Sequence, residues 1–140
     1  MVAYNKFNTF ALDLGEGTHQ LQAAGHQLDN YLSNATPSAS LDAVKADLAE
    51  ITIQNGYGGP TDVQNGYTES GGVGTMTAVD ILFTATGAGF GPFQYTVLDN
   101  DTPASPLDPL IAWWDYGSAI SPTAGETFDI DYGASVLTIT

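Results

Sequence analysis

Three stretches of this chain place aromatic or branched residues at every second position, and clusters of glycine, proline and aspartate separate them. Ile81, Phe83 and Ala85 alternate with Leu82 and Thr84. Phe93, Tyr95 and Val97 alternate with Gln94, Thr96 and Leu98. Phe128, Ile130 and Tyr132 alternate with Thr127, Asp129 and Asp131. A period of two is the mark of a β-strand with one buried face, and the last run shows it most clearly. Residues 135–140 add a closing strand with Leu137 and Ile139 facing inward. Turn chemistry fills residues 87–92, 100–109 and 117–125 and recurs at Gly133. Short strands at this spacing predict an antiparallel β-sandwich or jelly roll.

The first half is less regular. Phe7, Phe10, Ala11 and Leu14 fall at helical spacing and Gly15 ends the pattern, so residues 4–14 read as a short amphipathic helix or arm. A strand reading, with Phe10, Leu12 and Leu14 on one face, stays open. Residues 26–33 read as a strand whose alternation Asn30 breaks, and Pro37 centres a turn over 34–40. Leu41, Val44 and Leu48 follow Ser40, an N-cap candidate, and predict a second short helix. Next comes a near-repeat, Gln54-Asn55-Gly56-Tyr57 and Gln64-Asn65-Gly66-Tyr67, whose Asn-Gly pairs predict successive turns of one meander. Residues 58–74 are glycine-rich and read as a surface loop. The whole, 1–140, reads as a single β domain with a strand-rich half over 75–140.

Composition narrows function more than fold. There is no Arg and no Cys, and only two Lys (Lys6 and Lys45) stand against sixteen acidic residues, a net charge of −14. Residues 46–140 carry no permanent positive charge. Such a surface repels nucleic acid and anionic membranes and holds no clamp for phosphate. Without Cys there are no disulfides and no thiolate chemistry. The first six residues lack the layout of an export signal, and no apolar run reaches the roughly twenty residues of a membrane helix, so a soluble, non-exported chain is expected.

Chemistry-bearing patterns are sparse. His19 and His26 sit in no metal-ligand or triad motif and read as solvated loop residues. With no Arg, an anionic transition state needs backbone amides or a metal, which argues against a hydrolase. Asp99, Asn100, Asp101 and Asp108 offer calcium-type oxygens, but the full twelve-residue loop pattern is missing, and a plain aspartate turn is the favoured reading. Along Leu110–Tyr116, Trp113 and Trp114 must point to opposite faces of a strand. One fills the core. The other, beside Ile111, is covered either by a second layer of the same chain or by a partner.

Two stretches carry a family resemblance. One runs from Val44-Lys45-Ala46-Asp47-Leu48-Ala49-Glu50-Ile51 into Gln54-Asn55-Gly56-Tyr57. The other runs from Gly91-Pro92-Phe93 through Asp99-Asn100-Asp101-Thr102-Pro103 and Pro109-Leu110-Ile111-Ala112-Trp113-Trp114-Asp115-Tyr116-Gly117 to Gly125-Glu126-Thr127-Phe128. Their order, behind an N-terminal Tyr-Asn-Lys-Phe, resembles a family of small structural proteins encoded beside the coat-protein gene of tailed bacteriophages, thought to act as capsid decoration or cement proteins. The resemblance implies a non-enzymatic protein without cofactor or metal on the capsid surface of the virion. Its partner would be the major capsid protein, with dimers or trimers of the chain on the shell and no nucleic acid or membrane contact. The contact surface expected on that reading comprises Tyr4, Phe7, Phe10, Ile111, Trp113, Trp114 and Tyr116. The alternative is a receptor- or carbohydrate-binding module of a tail fibre or head fibre, which predicts a concave aromatic face.

Overall fold

A computed structural model describes residues 3–140. The chain is mainly β, with antiparallel sheets and one α-helix. Its elements are β1 (Asn5–Lys6), α1 (Asn8–Gly15), β2 (Leu28–Ser33), β3 (Thr61–Asp62), β4 (Gly66–Ser70), β5 (Val73–Thr77), β6 (Ile81–Thr84), β7 (Phe93–Asn100), β8 (Leu110–Ile120), β9 (Thr127–Ile130) and β10 (Leu137–Ile139). The largest sheet has the order β1-β8-β7-β2-β3. A second is β10-β5-β4, and β6 pairs with β9.

The large sheet is covered on both faces. Leu32, Leu98 and Trp114 meet Met76, Phe83, Ile130 and Leu137 of the smaller sheets in the main core. On the opposite face Phe7, Tyr31, Leu48, Tyr95, Val97 and Leu110 form a second cluster. Every residue of β2, and all of β7 except Gln94, is therefore at least nine-tenths buried. This explains why Asn30 sits inside a strand: its side-chain amide donates to the Tyr132 hydroxyl at 2.7 Å across the main core. On the same strand the Ser33 hydroxyl donates to the Ala49 carbonyl at 2.7 Å.

Three sequence expectations need correction. The N-terminal helix begins at Asn8, not residue 4, because Phe7 stays extended and its N–H bonds the Ile111 carbonyl at 3.1 Å, continuing β1 along β8. The helical spacing from Phe7 to Phe10 thus spans a strand–helix junction. The helix expected over 41–48 shrinks to one 3-10 turn, Lys45–Asp47. Here aspartates bind backbone amides locally instead of leaving them to a helix. Asp42 accepts from Ser38 N–H at 2.7 Å, and Asp47 from Ala43 and Val44 N–H at 2.9 and 3.1 Å. The glycine-rich loop expected over 58–74 is instead β3 and the β4–β5 hairpin. Ser70 pairs with Val73 across Gly71 and Gly72, which both take positive φ as a two-residue turn demands.

The near-repeat serves two different purposes. Gln54–Tyr57 is a tight turn with Asn55 and Gly56 at φ 49° and 103°. It delivers Tyr57 into the main core, where its hydroxyl donates to Glu50 at 2.6 Å and accepts from Leu32 N–H at 3.1 Å. The second copy is not a turn of the same kind. Asn65 is buried and its amide donates to the Leu21 and His26 carbonyls at 2.8 and 3.1 Å, tying the 18–27 loop to the start of β4.

One substitution separates the two copies. A Cβ at Gly56 would strike the Thr84 carbonyl at a positive φ, whereas at Gly66 it would meet only the Thr77 hydroxyl at 2.9 Å. Gly56→Ala should cost about 2 kcal/mol or more and Gly66→Ala under about 1 kcal/mol, measured by urea unfolding. Equal costs would contradict this reading of the repeat.

Candidate functional site

β8 is long, and the first part of its outer edge is covered: Leu110 N–H bonds the Ala43 carbonyl, Phe7 N–H bonds the Ile111 carbonyl, and β1 pairs with Ala112 and Trp113. Beyond Trp113 no strand pairs with this edge among the described residues. Farther along, Tyr95 pairs with Asp115 and Phe93 with Ile120, so Tyr116–Ala119 stand opposite Gln94 alone and bulge from the ladder. Bulges of this kind re-aim side chains. Asp115 pins this one: its carboxylate accepts from Gly117 N–H at 2.7 Å and from the Gln94 amide at 2.9 Å. The result is a protruding segment with Tyr116 52% exposed.

The expected contact residues divide. Tyr4, Trp113 and Tyr116 keep accessible surface along the β1–β8 edge. Phe7, Phe10, Ile111 and Trp114 do not: all four are buried in the chain's own clusters and have almost no surface to give a partner. Trp114 is the core tryptophan, edge-on to Tyr132 at 5.6 Å, while Trp113 lies on the other face against Phe7 at 4.6 Å. Ile111 is not beside Trp113. A second irregularity, between Leu98 and Asp99, inserts Ile111 as the extra residue of β8, which sends it to the main core and puts Leu110 on Trp113's face.

Between β8 and β9 lies a concave aromatic slot. Its lining includes Thr96 of β7, Trp114 and Tyr116 of β8, Phe128 and Asp129 of β9, and Tyr132 beyond it. The Tyr116 and Phe128 rings meet edge to face at 5.7 Å. Tyr4 packs edge-on to the other side of this aromatic group, 6.0 Å from Trp114, and burial pushes its phenol up to about 12.

Polar groups that sequence reading left in loops form a buried network. His19 is 5% exposed, not solvated. The Asn100 amide donates to Nδ1 of both His19 and His26, at 3.0 and 2.9 Å. That arrangement needs both Nδ1 atoms unprotonated. Burial, reinforced by His26, holds the His19 imidazole down to about 4, so it is neutral beside Asp13 rather than ion-paired with it. No spacing in the sequence joins residues 19, 26 and 100; only the fold does. The candidate calcium oxygens are not gathered: Asp99 and Asn100 turn to opposite faces of β7, and no group of three or more acidic or histidine ligands forms among the described residues.

Asp99 lies beneath the second apolar cluster, and burial pushes its carboxyl up to about 8 against the pull of Lys45. Lys45 pairs with Glu50 at 3.5 Å and sits 5.0 Å above the Tyr31 ring. Comparison of the chain with protein-family models, with curated proteins and with solved structures finds no match.

Unfolded, Asp99 releases its proton near 3.8; folded, it holds it to about 8. Across that window the native chain binds the extra proton, so this group's contribution to stability falls as pH rises and levels off above it. Asp99→Asn keeps the shape of the protonated form. Its stability relative to the wild type should therefore climb between pH 5 and 8 (roughly the span in which only the unfolded carboxyl is charged). Urea midpoints of both proteins across pH check this, and a pH-independent gap would contradict it.

Proposed function

We propose that this chain is a capsid decoration protein of a tailed bacteriophage, a non-enzymatic β-sandwich that binds the outside of the coat-protein shell and stabilises it. The large sheet and the smaller sheets are the two layers of that sandwich. The observation that carries the reading is the open edge of β8, flanked by accessible Tyr4, Trp113 and Tyr116. An open edge accepts a partner strand through main-chain bonds, and aromatic side chains beside it add apolar burial. The family resemblance of the sequence supports the same reading. Many copies on a symmetric shell multiply each weak contact, and ligand-like binding to the assembled state stabilises it by mass action. A net charge of −14 keeps free copies apart in solution.

The test mixes the purified protein with coat-protein shells that lack it, pellets the shells and follows their melting. Saturable co-pelleting with a raised shell melting temperature is expected. Ser118→Pro, at an exposed position of the bulged segment, removes a main-chain N–H from that segment and should weaken binding at least roughly tenfold. Absence of co-pelleting overturns the function, and wild-type binding by Ser118→Pro overturns the edge as its device.

A further inference from the structure

The slot between β8 and β9 holds features that packing does not use. Its volume is about 160 Å³, close to that of an engineered apolar cavity that takes one benzene. It has room for one six-membered ring. Thr96 lines it and is only 6% exposed, yet its hydroxyl makes no hydrogen bond among the described residues and is not one of the sealed, unpartnered atoms of the core. The same holds for the indole N–H of Trp114. Thr96 and Trp114 both line the slot, and neither of these polar groups has a hydrogen-bond partner among the described residues.

The open side of β9 adds main-chain groups. Ala85 N–H bonds the Glu126 carbonyl, so the hydrogen-bonded pairs of the β6–β9 ladder fall at Phe83–Phe128 and Ile81–Ile130. Asp129, one of the residues lining the slot, then turns its N–H and C=O away from β6. Asp129 and Asp131 contribute to the lining, and no cation does.

We propose that this slot is a binding site for a single uncharged pyranose ring. A sugar ring presents an apolar C–H face, which the Tyr116 and Phe128 rings can cover, and a rim of hydroxyls that donate and accept. Trp114 donates, Thr96 does both, and the Asp129 main chain and the two carboxylates accept. An apolar ring of the same size would bury Thr96 and Trp114 without partners, which costs affinity. A uronic or sialic acid would meet two carboxylates with no balancing cation, and is rejected. The Asp115-pinned bulge is what places Tyr116 over the slot. This site is independent of the capsid reading, since it needs only the isolated chain.

The experiment is an NMR titration of the isotope-labelled protein with the methyl glycosides of glucose, galactose, mannose and N-acetylglucosamine. Methyl glucuronide and cyclohexanol serve as the charged and apolar probes. Trp113→Phe leaves Trp114 as the sole indole and assigns its signal. At least one neutral glycoside should shift the Trp114 indole N–H saturably. Tyr116→Ala, an exposed position, should weaken that binding roughly tenfold, and Thr96→Val several-fold with the fold intact by the same spectrum. Glucuronide should bind at least about tenfold more weakly than its neutral counterpart. The proposal is overturned if no neutral glycoside shifts the signal, if Tyr116→Ala binds as wild type, if glucuronide binds as well as the neutral sugar, or if cyclohexanol binds as tightly.

Discussion

Burial of β7 and β2 on both faces is the constraint on which the rest of this structure depends. A strand covered on both faces has no water to satisfy its polar side chains, so each must find a partner in the protein. Asn30 finds Tyr132, Ser33 finds Ala49, and Asn100 finds two histidines. Each of these bonds ties a segment remote in sequence to the sheet. The 18–27 loop, the 42–50 segment and the end of β9 are held in this way as well as by apolar contact. The matching is incomplete: the Asn30 Oδ1, the Thr96 hydroxyl and one Asp99 carboxylate oxygen lack a partner among the described residues, and Asp99 keeps its proton well above the usual range.

The strands of the second half were legible because they have one wet face. Ile81–Thr84 and Thr127–Ile130 alternate buried and exposed side chains, and that alternation is written in the sequence. Where both faces are buried the signal fades, as it did at Asn30. Period-counting also failed where local chemistry competes. The aspartates at 42 and 47 consumed the amides a helix needs, and paired glycines at 71 and 72 made a hairpin turn rather than a loop. The two irregularities of β8 were invisible for a different reason. A bulge is set by the register of the partner strand, and that register put Ile111 in the core and lifted Tyr116 to the surface. Four of the seven expected contact residues proved to be core for this reason and because aromatic residues in a small domain are needed there first.

The same bulge links the fold to function. It interrupts the pairing of β8 with β7 between Asp115 and Ile120, lies on the part of β8 beyond β1, and places Tyr116 among the residues lining the slot beside β9. The nearly uniform negative charge then selects what can approach: polyanions are repelled, and uncharged or basic surfaces are admitted. Lys45, the lone lysine beyond the N-terminal strand, is spent internally on Glu50 and the Tyr31 ring.

Residue-resolved amide hydrogen exchange on the free protein tests this account most directly. β2 and the middle of β7 should exchange slowest, and Tyr116–Ala119 should exchange nearly as fast as an open loop. Slow exchange across Tyr116–Ala119 in the free chain would mean that this edge is already paired, and the account of β8 as the outward-facing edge would fail.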